Sequence, residues 1–327
     1  MKIDFTKMHG AGNDFVFIDG MKERVEITSE QVIALADRHF GIGADGIIVV
    51  DPPKNEGSGG YMRYINADGT FAQMCGNGVR CIAKFLVDNE YVDKKLGKVT
   101  IDTLSGPKPI DYNLDENGLV HEATVNMGDP ILDAPEIPTA LANNAVVDRD
   151  IHPQFEGVEF VRETPLSTPW GELKVTTVSM GNPHAVIFFE DEAAIRALPD
   201  ELFAKLDFDK AENRAQAYLN ALDLSKIGAY LEAHEAFPEK SNIEFIVPKG
   251  NGEFFMRVYE RGVGETLACG TGACAVGVAA VLTKRATMGQ ELPVHVLGGT
   301  LYITWMHEGF VRMRGPAEVS FIGTVEI

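Results

Sequence analysis

Two copies of one short motif constrain this chain more than any other feature. The stretch FAQMCGNGVRC places Cys75 directly before Gly-Asn-Gly, and LACGTGACA places Cys269 directly before Gly-Thr-Gly. An apolar, helix-forming stretch follows each cysteine. A Gly-Asn pair that opens an apolar strand precedes each one, at 12–18 (GNDFVFI) and at 181–188 (GNPHAVIF). An internal repeat of this size predicts two similar domains.

The second copy is the longer one. A charged, helix-favouring stretch over 191–237 separates its Gly-Asn strand from its cysteine, in a sequence otherwise rich in strands. The turn-forming segment NMGDP at 126–130 marks the boundary between the copies. We therefore predict an N-terminal domain over 1–126, joined by a C-terminal strand at 315–327. The C-terminal domain is predicted over 127–314, with a helical insertion at about 191–237.

Most of the chain has the composition of short strands, which are rich in β-branched and aromatic residues. A first helix is predicted over 29–41, with Ser29 as its N-cap and Gly41 as its stop. Apolar periodicity predicts two more helices directly after the cysteines, at 78–89 and 272–284, and the second is apolar on all sides and therefore buried. The predicted strands are 15–19, 46–50, 98–102, 173–180, 185–189, 242–247 and 253–260.

Length and charge exclude several classes of protein. The 327 residues suit two domains of ordinary size, and the 45% hydrophobic content is that of a globular chain. A net charge of -19 repels phosphate backbones and anionic lipids, so we expect neither a nucleic-acid nor a membrane partner. The N-terminal stretch lacks the apolar core of a signal peptide, so we expect a cytoplasmic location in which thiols stay reduced.

The cysteine spacing argues against a metal site. The pairs are C-x5-C and C-x4-C, and no His-x-x-x-His pattern accompanies them, so we expect no zinc. Cys81 and Cys274 lie inside the apolar helices and are interpreted as core residues.

A cysteine just before a helix has a specific chemistry. The first N–H groups of a helix lack partners and carry partial positive charge, so they stabilise a thiolate and lower the pKa of the thiol. The two glycines let a substrate carboxylate reach the same N–H groups. Asn77 in one copy and Thr271 in the other add a polar side chain at the helix start.

Two equivalent thiols suggest a paired acid and base, whereas a single one would suggest a nucleophile. One thiolate removes a proton from a carbon while the other thiol delivers a proton to the opposite face, which inverts the stereocentre. We therefore predict that Cys75 and Cys269 face one another across a cleft between the domains.

Longer stretches carry a family resemblance. FTKMHGAGNDFVFID, GIGADG, NADGTFAQMCGNGVRC, SMGNPHAVIF, SNIEFI and ERGVGETLACGTGACA follow in the order found in the diaminopimelate epimerases, which the chain resembles along nearly its whole length. The resemblance implies an isomerase that needs no cofactor and interconverts LL- and meso-2,6-diaminopimelate for lysine and peptidoglycan precursors. It also implies a homodimer.

The resemblance implies an α+β fold of two pseudo-symmetric domains. In each, a curled, mainly antiparallel sheet surrounds a central apolar helix. Cys75 and Cys269 match the catalytic cysteines, and His184 and Glu260 match a polar pair that assists them. The implied substrate contacts are Asn13, Asn66, Gly76, Asn77, Asn182, Asn242, Glu260, Arg261, Gly270 and Thr271.

Two positions depart from the family pattern. Gly46 stands where many members have a glutamine that contacts substrate. Phe321 stands where a tyrosine linked to dimerisation is usual, so the ring remains but a hydroxyl contact is lost.

Other interpretations compete with this one. The stretch GIGADG at 41–46 fits G-x-G-x-x-G, but it follows a helix and precedes a strand. The dinucleotide fingerprint has the reverse order, so a turn is the better interpretation. A proline racemase, a hydroxyproline epimerase or a side-chain isomerase could use the same two bases. A thiol redox protein could also use paired reactive cysteines, although the chain has no C-x-x-C, and a non-catalytic amino-acid-binding protein would not need them.

Overall fold

The computed structural model describes residues 2–72 and 74–326. Met1 and Ile327, inside the predicted N-terminal domain, and Gln73, inside the first cysteine motif, lie outside the described residues. The helices are α1 (Ser29–Ala36), α2 (Gly76–Asp88), α3 (Glu192–Arg196), α4 (Arg214–Ala221), α5 (Leu224–Glu232) and α6 (Gly270–Leu282). Among the described residues, none of these helices has the length and apolar character needed to cross a membrane.

Strands make up most of the regular structure. They are β1 (Lys2–Gly10), β2 (Asn13–Asp19), β3 (Gly46–Asp51), β4 (Gly60–Asn66), β5 (Lys98–Asp102), β6 (Lys108–Leu114), β7 (Val120–Asn126), β8 (Ala145–Val146), β9 (Glu159–Phe160), β10 (Thr164–Thr168), β11 (Gly171–Ser179), β12 (Pro183–Phe188), β13 (Asn242–Gly250), β14 (Glu253–Glu260), β15 (Gly264–Thr266), β16 (Leu292–Val296), β17 (Gly299–Trp305), β18 (Val311–Pro316) and β19 (Glu318–Glu326). The α+β prediction is confirmed, and so are all seven predicted strands, with ends shifted by at most three residues.

The described chain forms two compact units. Unit 1 contains the residues up to Asn126 and those from Arg314 onward. In it, β1 to β6 pair in chain order. The pairs β1–β2, β3–β4 and β5–β6 are antiparallel, and the pairs β2–β3 and β4–β5 are parallel. Strand β1 also pairs antiparallel with β19. Helix α2 is buried from Gly76 to Val87 and packs against β1, β2 and β4 to β7.

Unit 2 runs from Met127 to Met313. Here the pairs β11–β12, β13–β14 and β16–β17 are antiparallel. The pairs β12–β13 and β14–β16 are parallel. Helix α6 packs against β11, β12, β13, β16 and β17. Taken separately, the two units therefore share one order of strand pairings around a 13-residue buried helix.

Both buried helices begin two residues earlier than their apolar periodicity indicates. The predicted starts at 78 and 272 were wrong because the glycines were interpreted as preceding the helix. In the structure Gly-x-Gly forms the first helical turn, and the first intrahelical bonds run from Val79 N to Cys75 O and from Ala273 N to Cys269 O, both 2.9 Å. Each cysteine is therefore the N-cap residue itself.

The first helix is shorter than predicted, and its N-cap is Thr28, not Ser29. Thr28 Oγ1 accepts a bond from Gln31 N, and Gln31 Oε1 accepts one from Thr28 N, which forms a capping box. The helix ends at Ala36, before the predicted stop at Gly41. The N–H groups of Gly41 and Gly43 then bond back to Asp37 O and Leu35 O, and Gly43 has a positive φ of 79°. The stretch 41–45 is a bent, irregular connection from α1 to β3, and Gly46 is the first residue of that strand.

The stretch 191–237 is helical, as predicted. It contains α3, α4 and α5, with short 3₁₀ turns between them. Leu219, Ile227 and Leu231 from this stretch are buried with Phe245 and Phe255 in one hydrophobic cluster of unit 2. The segment is therefore part of the core of its unit rather than a surface appendage.

Candidate active site

The first cysteine lies in a network of amides. Cys75 Sγ lies 3.6 Å from Asn13 Oδ1, and Asn77 Nδ2 donates to the same oxygen at 3.1 Å. Asn13 Nδ2 donates to Asp45 Oδ2 at 2.6 Å. The structure therefore brings three predicted site residues of unit 1 together, and Asp45 fixes which way the Asn13 amide faces.

A buried arginine supports the start of α2. Arg80 is fully buried, and its guanidinium donates to Asn77 Oδ1 at 3.0 Å and to Gly76 O at 3.4 Å. Because Asn77 Oδ1 is occupied by this cation, its Nδ2 group is turned towards Asn13. The first turn of α2 thus presents N–H donors beside Cys75, which is the arrangement that binds an anion.

Asn66 lies at the end of β4, opposite Gly46 in the β3–β4 ladder. Asn66 Nδ2 donates to Thr70 Oγ1 at 3.0 Å. The departure at Gly46 has a steric counterpart, because a Cβ at this position would lie 2.6 Å from the Tyr64 ring and 2.7 Å from Ile65 O. No longer side chain fits there unless β4 moves.

The second cysteine is more enclosed. Cys269 is 4% exposed, its Sγ accepts from Gly272 N at 3.3 Å, and Thr271 Oγ1 lies 3.5 Å away. We expected a lowered pKa here, and that expectation was wrong. Burial raises the pKa of Cys269 well above its usual value, and the carboxylates of Glu260 and Glu244 raise it further, outweighing the bonds from Thr271 and Gly272. In this state Cys269 holds its proton.

Glu260 lies next to this thiol at the end of β14. Thr266 Oγ1 and the Cys269 thiol both hydrogen bond to its carboxylate. Burial raises the pKa of Glu260, while those two bonds and the charge of His184 act in the opposite direction. A carboxylate and a thiol that share a proton in this way can transfer it between them with little rearrangement.

The direct partner of His184 is Glu244, not Glu260. His184 Nδ1 lies 2.6 Å from Glu244 Oε1, and its Nε2 lies 3.1 Å from Asn182 Oδ1, whereas the family resemblance implies that His184 assists the cysteines together with Glu260. The parallel β12–β13 pairing is the reason, because it places Glu244 opposite Val186, one strand away from His184. His184 and Glu260 interact only through their charges.

Asn242 and Arg261 are joined by a backbone contact. Asn242 is buried, its Nδ2 donates to Pro183 O, and its Oδ1 accepts from Arg261 N, both at 2.9 Å. The Arg261 side chain is exposed and donates through Nη1 to Glu239 O at 3.1 Å. In this structure Asn242 shapes the turn after β14, while the exposed guanidinium stays accessible to a ligand.

The other two cysteines are core residues, as the sequence indicated. Cys81 and Cys274 are fully buried. Burial raises the pKa of Cys81 to about 12, so it is a thiol at neutral pH.

Sequence reasoning missed three residues that position this site: Asp45, Arg80 and Glu244. A signal existed for the last two. Arg80 is one of two basic residues, with Lys84, in the apolar stretch that forms α2, and Glu244 is the one charged residue within the apolar run NIEFIV. Asp45 gave no such signal, because an aspartate in a glycine-rich turn is common.

The fold is one that several solved structures share. The chain is similar in structure to the phenazine biosynthesis protein of the PhzF family from Bacillus anthracis, with a TM-score of 0.63, 16% identity and full coverage of both chains. It is also similar to a hydroxyproline epimerase from Agrobacterium vitis, with a TM-score of 0.61 and 13% identity over 99% of this chain and 92% of that one. At such identities these likenesses show the fold that epimerases and PhzF proteins share.

The sequence comparisons identify one family, whereas the structural comparison identifies only a fold. The model of the diaminopimelate epimerase family matches residues 5–132 and 176–320, which includes the helical stretch 191–237. The diaminopimelate epimerase of Leptospira biflexa serovar Patoc is 39% identical over 328 residues, covering all of both chains. The chain belongs to the diaminopimelate epimerase family, as its motifs predicted.

Proposed function

We propose that this protein is an isomerase that interconverts LL- and meso-2,6-diaminopimelate without a cofactor, using Cys75 and Cys269 as its two bases. The observation that carries the proposal is the repeated N-cap cysteine. In each unit a thiol stands at the start of a buried helix, beside N–H groups that no helical carbonyl uses. Family membership supplies the substrate.

The carboxylate at the reacting end of the substrate binds at these helix starts. Gly76 and Gly270 carry no side chain, so an anion can approach the backbone N–H groups of the first turn. Asn77 and Thr271 add polar groups at the same level. We assign Asn13, Asn66, Asn182, Asn242, Glu260 and Arg261 to the remaining polar contacts of the substrate.

The chemistry is a proton exchange at one carbon. In one direction Cys75 as the thiolate takes the α-proton, and the electron pair left on carbon takes the proton of the Cys269 thiol from the opposite face. Cys75 then holds a proton and Cys269 is the thiolate, and the reverse reaction exchanges these roles. The raised pKa of Cys269 supports its role as the donor in the direction described, because a thiol with a raised pKa holds its proton at neutral pH.

Glu260 and His184 assist this step. Glu260 hydrogen bonds to Cys269, so it can accept or return the thiol proton as the substrate binds. His184 places a ring nitrogen next to Asn182, one of the proposed substrate contacts.

We further propose that the two units are the two predicted domains and that the enzyme is a cytoplasmic homodimer. The structure describes all four cysteines and none of them forms a disulfide, which is the arrangement that a reducing compartment favours. Exposed apolar side chains on β19 support the dimer, since Val319, Phe321 and Ile322 are 44%, 49% and 76% exposed.

The test is solvent deuterium uptake at the α-carbon of LL-diaminopimelate in reducing buffer without added cofactor. Uptake with formation of the meso product supports the proposal. Cys75→Ser and Cys269→Ser should each lower turnover at least about a hundredfold, since each removes one acid or base. The matched control is Cys81→Ala, which removes a core thiol and should leave turnover within about twofold.

Two results would overturn the assignment. Folded, reduced protein that takes up no deuterium from diaminopimelate would exclude the reaction. Uptake from proline instead would place the chain among the racemases of the same fold. Unchanged turnover in both serine variants would exclude the two-base mechanism while leaving the substrate assignment intact.

A further inference from the structure

The repeat lets the two cysteine sites be compared residue by residue. In β2–β3, Phe15 is paired with Gly46, and in β12–β13, His184 is paired with Asn242. Each of the strand residues Phe15 and His184 lies two positions after the Gly-Asn asparagine. Two positions further along the partner strands stand Ile48 and Glu244. The buried pair behind the first cysteine is therefore apolar, and the buried pair behind the second is ionisable.

The surroundings of these pairs match closely. A Cβ on Gly78, in the first turn of α2, would lie 2.8 Å from Ile48 Cδ1 and 3.0 Å from Met62 Cε. A Cβ on Gly272, in the first turn of α6, would lie 2.7 Å from Glu244 Oε1 and 3.0 Å from Met256 Cε. Glu244 thus occupies the place of Ile48, against the helix start that carries the cysteine.

The fold itself does not require charge at this place, because unit 1 fills it with Phe15 and Ile48, both fully buried. Burying an ion pair is costly, and well-packed apolar residues of similar volume are often as stable or more so. His184 and Glu244 are both 0% exposed. The second site keeps a costly pair where the first shows that an apolar pair suffices, which indicates a role in function.

The contacts show what the pair can do. His184 Nδ1 faces Glu244 Oε1 and Nε2 faces Asn182 Oδ1, so both ring nitrogens point at oxygen atoms. Each ring nitrogen is therefore placed where a donor N–H would be met by an oxygen acceptor. The Asn182 oxygen is then occupied by this contact, and the amide N–H groups are the donors that this side chain can still offer.

One oxygen of Glu244 is not used by this pair. Among the described residues, Glu244 Oε2 is buried and has no hydrogen-bond partner. A buried, unsatisfied carboxylate oxygen is unfavourable, and such groups persist where they serve a site. The negative charge is thus held in place without full compensation.

We propose that Glu244 is a positioning residue of the Cys269 site, which holds His184 as the imidazolium and thereby fixes Asn182 with its amide N–H groups towards the substrate. The proposal rests on the proposed function for its kinetic readout, but not for its spectroscopic one. On this proposal the Asn182 amide is the donor that selects a carboxylate at the second site. The charge of Glu244, acting through His184, sets the orientation of that amide.

The first experiment is ¹⁵N NMR of the His184 ring in the full-length protein at neutral pH, assigned with His184→Gln. We expect both ring nitrogens to be protonated in the wild type. In Glu244→Gln, which keeps the shape but removes the charge, we expect the neutral ring. A neutral ring in the wild type, or identical spectra in the two proteins, would overturn the proposal whatever the substrate is.

The second experiment compares kinetics with stability. Glu244→Gln should lower kcat/KM for diaminopimelate about tenfold or more, with little change in Tm. The double variant His184→Phe/Glu244→Ile copies the apolar pair of the first site. It should keep its Tm and lose at least about a hundredfold in kcat/KM. Near wild-type kcat/KM in the double variant would overturn the proposal.

One control variant and two fallback comparisons separate the possible failures. Asp102→Asn removes another buried carboxylate, whose partners are Lys54, Asn55 and Ser58, and should lower Tm but leave kcat/KM within about twofold. If the wild type does not epimerise diaminopimelate, the proposed function fails, and the NMR comparison still decides the role of Glu244. If the double variant does not fold, Glu244→Gln decides it alone.

Discussion

At the scale of single residues, the two N-cap cysteines differ in what surrounds them. Cys75 lies among neutral amides backed by Asp45 and Arg80, whereas Cys269 lies beside Glu260 and near Glu244. A helix start alone would lower the pKa of a thiol, but burial and two carboxylates dominate at Cys269. The motif therefore predicts the position of a reactive thiol but not its resting protonation state.

Burial of the core thiol Cys81 makes stability depend on pH. Its pKa is about 12 in the folded protein, against 9.0 for an exposed thiol. A group whose pKa is raised on folding stabilises the protein fully below the unfolded value, and that stability is lost as pH rises towards the folded value. We expect Cys81→Ala to lose less stability than the wild type between about pH 8 and about pH 10.5, by about 2 kcal/mol.

Thermal unfolding midpoints across this pH range measure the effect, with Cys81→Ser as the control that keeps a polar group without titrating. Parallel pH profiles for Cys81→Ala and the wild type would show that the thiol ionises as easily in the folded protein as in the unfolded chain.

At the scale of elements, the pattern of apolar residues predicted the two buried helices and the strands that line them, because burial imposes a period that the sequence must follow. It placed the helix starts two residues late. The periodic apolar face begins at Val79 and at Ala273, whereas hydrogen bonding begins at the cysteines. Since glycine is weak in helices, only backbone geometry could show that it belongs to the first turn.

The first turns of these helices give a prediction that separates the two sites. Gly78→Ala brings a methyl group against the free ends of Ile48 and Met62, which can shift, and alanine favours the helix by about 1 kcal/mol. Gly272→Ala brings it against Glu244 Oε1, which is held by His184. We expect a stability change within about 1 kcal/mol for Gly78→Ala and a loss of about 1–3 kcal/mol for Gly272→Ala.

Differential scanning calorimetry of both variants tests this, with Ala273→Gly as a control for helix propensity in the same turn. Equal effects of the two glycine substitutions would mean that the Glu244–His184 pair yields as easily as the apolar pair.

At the scale of the whole molecule, the family, the fold class and the helical nature of 191–237 were predictable from the sequence, and the comparisons and the structure confirm them. The buried polar partners Asp45 and Glu244 were not. Their roles depend on which strands lie side by side, and strand pairing between distant segments leaves no local pattern in the sequence. The domain limits, the dimer and the catalytic roles stay predictions.

The proposed dimer depends on β19. The Phe321 ring lies 5.9 Å from that of Phe5 and is about half exposed, so it can pack both on its own sheet and on a second subunit. We expect the wild type to be a dimer. Phe321→Asp should raise the dissociation constant of the dimer at least about tenfold, because a charge would be buried in the contact.

Analytical ultracentrifugation over a range of concentrations measures this. Leu104→Asp, at an exposed apolar position outside β19, is the control and should leave the mass unchanged. A monomeric wild type would contradict the proposed dimer. A Phe321→Asp protein that dimerises as tightly as the wild type would show that β19 does not form the interface.

The unequal surroundings of the two thiols have a consequence for repeated turnover. On the proposed mechanism the enzyme ends each reaction with its proton on the other sulfur. Its protonation state therefore depends on the direction of the last turnover. Were the two sites alike, the two free forms would have equal energy and either isomer would find the enzyme ready. Because the carboxylates of Glu260 and Glu244 crowd Cys269, the form with Cys269 as thiolate is disfavoured, and the enzyme must return its proton before it can process the same isomer again. At high substrate concentration this resetting, rather than the chemistry at carbon, can limit the rate.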